Sequence, residues 1–596
     1  MRFVSLAFVS AFALAACSQP ADDATMEPDS SAADSGNQMA DAGMVSGNDM
    51  EDGAQPAERI DPNARPGDRA TSPDITGDDL AWRIQTLAAD EFEGRAPSTP
   101  GGIAASQWIA DEMADAGLEP GGEDGTYFQR VPLVEATLDP AASSFDISVN
   151  GEAMGLEYLT DVVYGTRRLD ETVDIENSGI VFVGYGIVAP EYGWNDYEGL
   201  DVEGRTVVML INDPGFASGD PDLFNGNAMT YYGRWTYKYE EAARQGAAGV
   251  IIIHETEAAS YGWNVVSGSW SGPQFDLQRP EGSMPFAGAE SWITNERGRE
   301  LFTAAGLDFD ALVEAAHQPG FSPVEIPGAE LNATLVTSHE FLDSRNVAGI
   351  VRGTERPDEY VLYMAHWDHI GMRESDDPDE DVIYNGAVDN ATGTSSILEI
   401  GEAFAANPPE RSVIIVAVTA EESGLLGSEY YATDPLVPFS QTVGGLNMDG
   451  MLPTGPTSDI VVIGYGASEL EDDLAVVAAT QDRTLSPDPN PEAGYFYRSD
   501  HISLAKRGVP MIYADTGSVS IELGAGHVEE LSAAYRARAY HGPEDEFSYD
   551  WDFDGLARDA TLLYLLGERI ANSDEWPNWY EGNEFRALRD AQRAGE

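Results

Sequence analysis

The chain has 596 residues, with 32 Lys plus Arg against 104 Asp plus Glu, a formal charge of −72. That balance argues against nucleic-acid binding, which needs a basic surface, while 42% hydrophobic and 10% aromatic residues suffice for a real core and the length suggests about two to four domains. The single cysteine excludes an intrachain disulfide and a cysteine-rich zinc module, so any metal site must use histidines and carboxylates.

Residues 1–16 read Met1-Arg2 followed by an apolar run from Phe3 to Ala16. The run is too short to span a membrane and suits a signal-peptide core. It ends Leu14-Ala15-Ala16-Cys17, which resembles a bacterial lipoprotein signal whose cysteine becomes the acylated first residue of the mature chain. The alternative is an ordinary signal with an incidental cysteine. The lipoprotein reading predicts an extracytoplasmic protein anchored by lipid at Cys17 to the bacterial envelope. Ser18 points to the outer membrane, on its periplasmic side or at the surface. Residues 17–75 read as a flexible acidic tether. Between 18 and 75 there are 13 acidic and three basic residues and no hydrophobic period, too little apolar surface to offset chain entropy.

From 76 to 145 the pattern is helical first: Ala105, Trp108, Ile109 and Met113 share one face, and Gly117 with Pro120 ends it. Residues 146–336 change texture, with β-rich runs at 180–183, 206–211 and 250–253 and a helix over 238–245. From about 337 to 580 strands and helices alternate: strand 360–365, helix 394–405, strand 412–419, then strands at 446–448, 460–463 and 509–513. This predicts an α/β fold with a mainly parallel central sheet and helices on both faces. The 146–336 region would be a β-rich insertion splitting that domain into 76–145 and 337–580, with 581–596 a C-terminal tail. In such sheets functional groups gather past the carboxyl ends of strands.

Polar clusters lie there. His366-Trp367-Asp368-His369 follows the strand 360–365, Asn385 to Asn390 follows the next loop, Glu421-Glu422-Ser423-Gly424 follows 412–419, and Asn447-Met448-Asp449-Gly450 ends the strand at 446. Tyr540-His541-Gly542-Pro543-Glu544-Asp545 comes last. Each alone has an ordinary explanation: a solvated Glu pair, a packed histidine, a helix-capping Asp389. Together they offer the nitrogen and oxygen donors that zinc-like divalent metals accept.

In this order the motifs resemble the di-zinc aminopeptidase family, which includes bacterial leucyl aminopeptidases and the catalytic domains of glutamate-carboxypeptidase-like proteins. The insertion, with Gly184-Tyr185-Gly186-Ile187 and Gly246-Ala247-Ala248-Gly249, resembles a protease-associated domain. The resemblance implies a zinc-exopeptidase-like fold holding two Zn2+ per chain. Asp389 would bridge the ions, His366 and Asp449 completing one site and Glu422 and His541 the other. Glu421 would stay off the metal as general base. Asp368 would hold the far nitrogen of His366, Asp545 that of His541, and the Tyr540 phenol would donate to the oxyanion, with core packing as its alternative. The implied activity is hydrolysis of peptide bonds, releasing N-terminal amino acids. A carboxypeptidase or dipeptidase, a single-zinc glutaminyl cyclase-like acyltransferase and a non-catalytic receptor are the alternatives. The expected partners are a peptide substrate and, through the lipid, a membrane.

Other candidates weigh less. His369 and His501 suggest packing or hydrogen bonding without a ligand role. Arg498 suggests a structural ion pair, with substrate contact as the alternative. The run from Asp550 begins like a calcium loop but has Thr561 at its twelfth position, so Asp554 reads as a helix cap. The acidic run 376–381 reads as a solvated loop. No G-x-S-x-G or P-loop occurs.

Overall fold

The computed structural model of the chain describes residues 62–279, 286–378 and 380–595. The expected signal peptide, Cys17 and most of the expected tether lie outside the described residues. Residues 62–75, also expected in the tether, lie against the first helix instead. Arg69 pairs with Asp79 at 2.6 Å, and Thr71 donates to Glu402 at 2.7 Å. Charged and hydroxyl side chains thus hold an extended segment that has no hydrophobic pattern to announce it.

Helix α1 (Gly77–Leu87) starts where Thr76 accepts from the Asp79 N–H at 3.1 Å, and α2 (Pro100–Asp115) where Thr99 accepts from Gly102 with proline in its first turn. The chain then enters β1 (Phe128–Leu138) and leaves for the insertion. It returns in β2 (Val324–Val351), a strand of 28 residues. There follow β3 (Arg356–His366), α3 (Gly393–Ala406), β4 (Arg411–Val418), β5 (Thr442–Asn447), β6 (Asp459–Ile463) and β7 (Met511–Asp515). The long α4 (Phe553–Ala571) and the terminal α5 (Arg586–Ala594) complete the domain.

Strands β4, β3, β5 and β7 are mutually parallel and form the centre of the sheet. The flanks are antiparallel: β1 on β2, β2 on β4, and β6 on β7. Both faces of the central strands are buried, so their sequences run apolar without alternation. In β3, Val361, Tyr363 and Ala365 join a core with α1, α3 and α4, while Leu362 and Met364 join the opposite core with Tyr431, Leu504 and Trp579. The expected mainly parallel sheet with helices on both faces is therefore present. The expected cap of α4 shifts by two residues: Asp552, not Asp554, accepts the Asp554 N–H at 3.0 Å.

Residues 144–335 form a second body around their own cores. Strands Thr172–Phe182, Thr206–Leu210, Gly249–Ile253 and Ala289–Ile293 are parallel neighbours, with helix Trp235–Arg244 between the second and third in sequence. The two bodies share β2. Its residues Ala329–Thr334 pair with Ser144–Val149, and Thr337–Val347 pair antiparallel with β1. The last residues, expected as a tail, are anchored. Arg589 is 1% exposed and donates to the carbonyls of Thr442 at 2.8 Å and Val443 at 3.0 Å.

Candidate metal centre

Three parallel strands deliver the site at their carboxyl ends. His366 is the last residue of β3, Glu421 and Glu422 follow β4, and Asp449 follows β5. Asp389 comes from the turn before α3. The segment after Arg538 brings in His541, whose backbone has φ +53°.

His366 Nε2 lies 3.2 Å from Asp389 Oδ1 and 3.1 Å from Asp449 Oδ1. His541 Nε2 lies 3.1 Å from Asp389 Oδ2 and 3.2 Å from Glu422 Oε2. Asp389 thus turns one oxygen to each imidazole. Zinc bonds of 2.0–2.1 Å arranged tetrahedrally put ligand atoms about 3.3 Å apart, so all four separations match the edges of two such polyhedra. The five side chains expected as ligands are brought together, and their donor set fits two zinc ions.

The electrostatics agree. Burial lowers the basicity of His366, but Asp449, Glu421 and Asp389 outweigh it and hold its pKa well above the ordinary value. His541 is pushed up to about 9, burial again being outweighed by Glu422 and Asp389. Among the described residues no lysine or arginine forms an ion pair with Asp389, Glu422 or Asp449. The carboxylates concentrate negative charge around the two imidazoles, which is why both pKa values rise, and a cation is what such a cluster favours.

His369, expected to pack or hydrogen-bond without a ligand role, stands in the site. It gathers with Asp389 and Glu422, and its Nδ1 is 2.6 Å from Glu422 Oε1. That spacing is shorter than a zinc polyhedron edge and suits a direct contact with the oxygen that does not face His541. His369 and His541 thus stand beside different oxygens of Glu422.

Two positioning roles differ from expectation. The His366 Nδ1 lies 3.2 Å from the Asp368 backbone carbonyl, whereas the Asp368 carboxylate is 3.9 Å away and accepts the Glu421 N–H at 3.1 Å. The carbonyl fixes the His366 tautomer, and the carboxylate fixes Glu421. Asp545 does not bond the far nitrogen of His541. It accepts the N–H groups of Val388 at 3.0 Å and Asp389 at 3.1 Å, and the Tyr535 hydroxyl at 3.0 Å. Two consecutive backbone donors aimed at one carboxylate outcompete a ring nitrogen four residues away.

Glu421 lines the cavity beside the ligands. Burial raises its pKa well above the usual range; His366 opposes this and Asp449 and Glu422 add to it. Tyr540 stacks on His541 with ring centroids 4.0 Å apart. Three supporting residues carry no motif signal. Arg95, fully buried, donates to the carbonyls of Trp367 at 2.8 Å, Leu87 at 2.9 Å and Gly386 at 3.0 Å, and to that of Asn385, so it ties the His366 and Asp389 loops together. Ser499 donates to Asp449 Oδ2 at 2.6 Å. Thr394 donates to the His366 carbonyl at 2.7 Å. Arg498, expected in an ion pair, has no carboxylate partner among the described residues; its guanidinium lies 5.7 Å from the ring centroids of both Tyr261 and Tyr495.

Fold and site together bring five metal-ligating side chains to the carboxyl edge of an α/β sheet. Residues 346–565 match the model of peptidase family M28, in agreement with the resemblance carried by the motifs. Aminopeptidase NAALADL1 of Rattus norvegicus is 33% identical over 140 residues, 22% of this chain and 17% of that protein. A probable zinc metalloprotease of Leptosphaeria maculans is 24% identical over 268 residues, 44% of this chain and 57% of that protein. Among solved structures, an aminopeptidase from Aneurinibacillus sp. strain AM-1 has a TM-score of 0.45 at 18% identity, covering 84% of this chain and 95% of its own. The chain spans less than a fifth of the length of the first of these relatives and just over half of the second.

Proposed function

We propose that the chain is a two-zinc metallopeptidase that releases N-terminal residues from peptides. The observation that carries this reading is Asp389, whose two oxygens each face a different imidazole at zinc-polyhedron spacing. His366, Asp389 and Asp449 would hold one ion; Asp389, Glu422 and His541 would hold the other. Zinc held there supplies Lewis acidity and makes water a nucleophile at neutral pH. Glu421, held by its backbone to Asp368 and free of the ligand set, takes the proton from the attacking water and passes it to the leaving amine. Tyr540 keeps its proton, because burial and then the surrounding carboxylates raise its pKa, and donates it as a hydrogen bond to the developing oxyanion.

The remaining expectations extend the same proposal. The 146–336 body is a protease-associated-like insertion that walls the substrate cavity with Tyr261 and Trp270. Cys17 carries the lipid that anchors the protein to the envelope; Cys17→Ser should release it from membranes into the soluble fraction.

The test combines metal analysis with matched substrates. The purified protein should carry two zinc ions and cleave free-amine peptides while sparing N-acetylated ones. Glu421→Gln should keep both ions and lose about 10²–10⁴-fold in kcat. One ion per chain, or near-normal turnover of Glu421→Gln, would refute the mechanism. Equal cleavage of N-blocked peptides would refute the aminopeptidase assignment.

A further inference from the structure

The metal centre opens onto a cavity of about 1090 Å³ between the two bodies. Several of the cations around it are already neutralised. Arg167 pairs with Glu290 at 3.0 Å, Arg279 with Glu429 at 2.7 Å, and Lys506 with Glu240 at 2.7 Å. Arg234, from the insertion, and Arg498, from the catalytic half, also line the cavity, and among the described residues neither has a carboxylate partner. Arg234 Nε and Arg498 Nε and Nη2 are buried N–H groups without an acceptor. A buried donor left unpaired is costly. Two cationic ones on one cavity cost more: burial first, with Arg498 adding repulsion, lowers Arg234 to about 9.

Their position relates the pair to the reaction. Arg498 directly precedes Ser499, whose hydroxyl holds Asp449. The Tyr540 phenol is within electrostatic reach of Arg498, and Tyr261 of both arginines. In a chain of net charge −72, two unpaired guanidiniums beside the catalytic centre need an anion, and a planar carboxylate matches the guanidinium fork.

We infer that Arg234 and Arg498 form a carboxylate-binding subsite adjoining the metal centre, which selects peptides bearing a carboxylate near the scissile bond. The inference rests on the peptidase reading and deepens it. The carboxylate has two sources: the free C-terminus of a very short peptide, or the side chain of an acidic residue. Because one arginine comes from each body, the subsite exists only while the insertion is seated on the catalytic half.

Matched pairs test this on the full metal-loaded protein. Leu-Ala-Ala against its C-terminal amide reads the terminal carboxylate; Leu-Glu-amide against Leu-Gln-amide reads the side chain. The wild type should prefer the acid of at least one pair by about ten- to a hundredfold in kcat/KM. Arg498→Gln and Arg234→Gln should bring that ratio close to one, and Arg498→Lys should restore part of it. Equal losses on both members of each pair would mark the arginines as structural and overturn the inference, as would a wild type without preference. Calorimetry with glutarate and its diamide separates this inference from the peptidase reading. Glutarate binding that disappears in Arg498→Gln, in a protein that cleaves no peptide, sustains the subsite and rejects the activity. Peptide cleavage with glutarate binding unchanged in both variants does the reverse.

Discussion

Ser499 offers a measurement of how the first metal site is held. Its hydroxyl donates to Asp449 Oδ2 at 2.6 Å and accepts from the Asn447 amide at 2.7 Å, leaving Asp449 Oδ1 to face His366. Ser499→Ala removes a short hydrogen bond to a charged acceptor, worth about 1.5–3 kcal/mol. At 1.4 kcal/mol per factor of ten, that is roughly a 10- to 150-fold loss in affinity, overlapping the roughly 10- to 100-fold found when partners of metal ligands are removed. The loss should fall on one ion. Asp449 serves only the His366 side, whereas Glu422 and His541 touch the other. Titration with a competing zinc chelator should therefore become biphasic, with one ion leaving at lower chelator concentration and the other holding near its wild-type position. Ser499→Thr, which keeps the hydroxyl, should restore a single phase. A loss below about threefold, or an equal shift of both ions, would show that Asp449 needs no such support and that the reasoning is wrong.

Further predictions concern the histidines. His541→Ala should leave one zinc ion per chain by metal analysis, whereas His369→Ala should keep two, bound more weakly on the Glu422 side; the opposite stoichiometry would exchange their roles. His501 is fully buried against Phe496 and Tyr513, with ring centroids 4.6 and 5.2 Å away, and burial lowers its pKa to about 3. A folded-state pKa below the unfolded value of about 6.5 means its contribution is complete above pH 6.5 and is lost as pH falls toward 3. His501→Phe should move the acid-unfolding midpoint, followed by tryptophan fluorescence, to lower pH; an unchanged or higher midpoint refutes this.

How much of this could be read from the chain follows from what each residue needs. His366, Glu422 and Asp449 follow apolar strands buried on both faces, so their positions were legible once the strands were. The expected strand 412–419 and the observed β4 (Arg411–Val418) differ by one residue at each end. Helix α3 was equally plain. The choice between carboxylate and carbonyl at Asp368 was not legible, because both lie on one residue and only the turn decides which meets His366. Arg95 was invisible for another reason. Its acceptors are backbone carbonyls as far as 291 residues away, and a carbonyl leaves no mark in a sequence. The place of His369 in the site was not legible, because a second histidine three positions from His366 has no intrinsic label. Arg498 was misread because an arginine followed at once by Ser499-Asp500 suggests a nearby counter-ion that the fold does not supply.

The shared strand β2 raises the question of whether the insertion is held only by the chain or also by contacts across the cavity. Lys506, on the catalytic half, donates to Glu240 of the insertion at 2.7 Å, and Tyr231 donates to the other oxygen of Glu240 at 2.5 Å. Glu240 is driven down to about 2: burial alone would raise it, and Lys506 and then Tyr231 overcome that. A depressed carboxylate contributes stability that is complete above its unfolded pKa and disappears as pH falls toward 2. Both side chains are partly exposed, 35% for Lys506 and 24% for Glu240, so screening limits the direct pair to about 1 kcal/mol. A double-mutant cycle of Glu240→Gln and Lys506→Met should give that coupling in low salt, shrinking as salt is added. If the clasp seats the insertion over the site, the same variants should raise KM several-fold for peptides while leaving zinc content at two per chain, because neither residue touches a ligand. Coupling energy without any change in KM would mean that β2 alone sets the cavity and that the pair is an ornament of the rim.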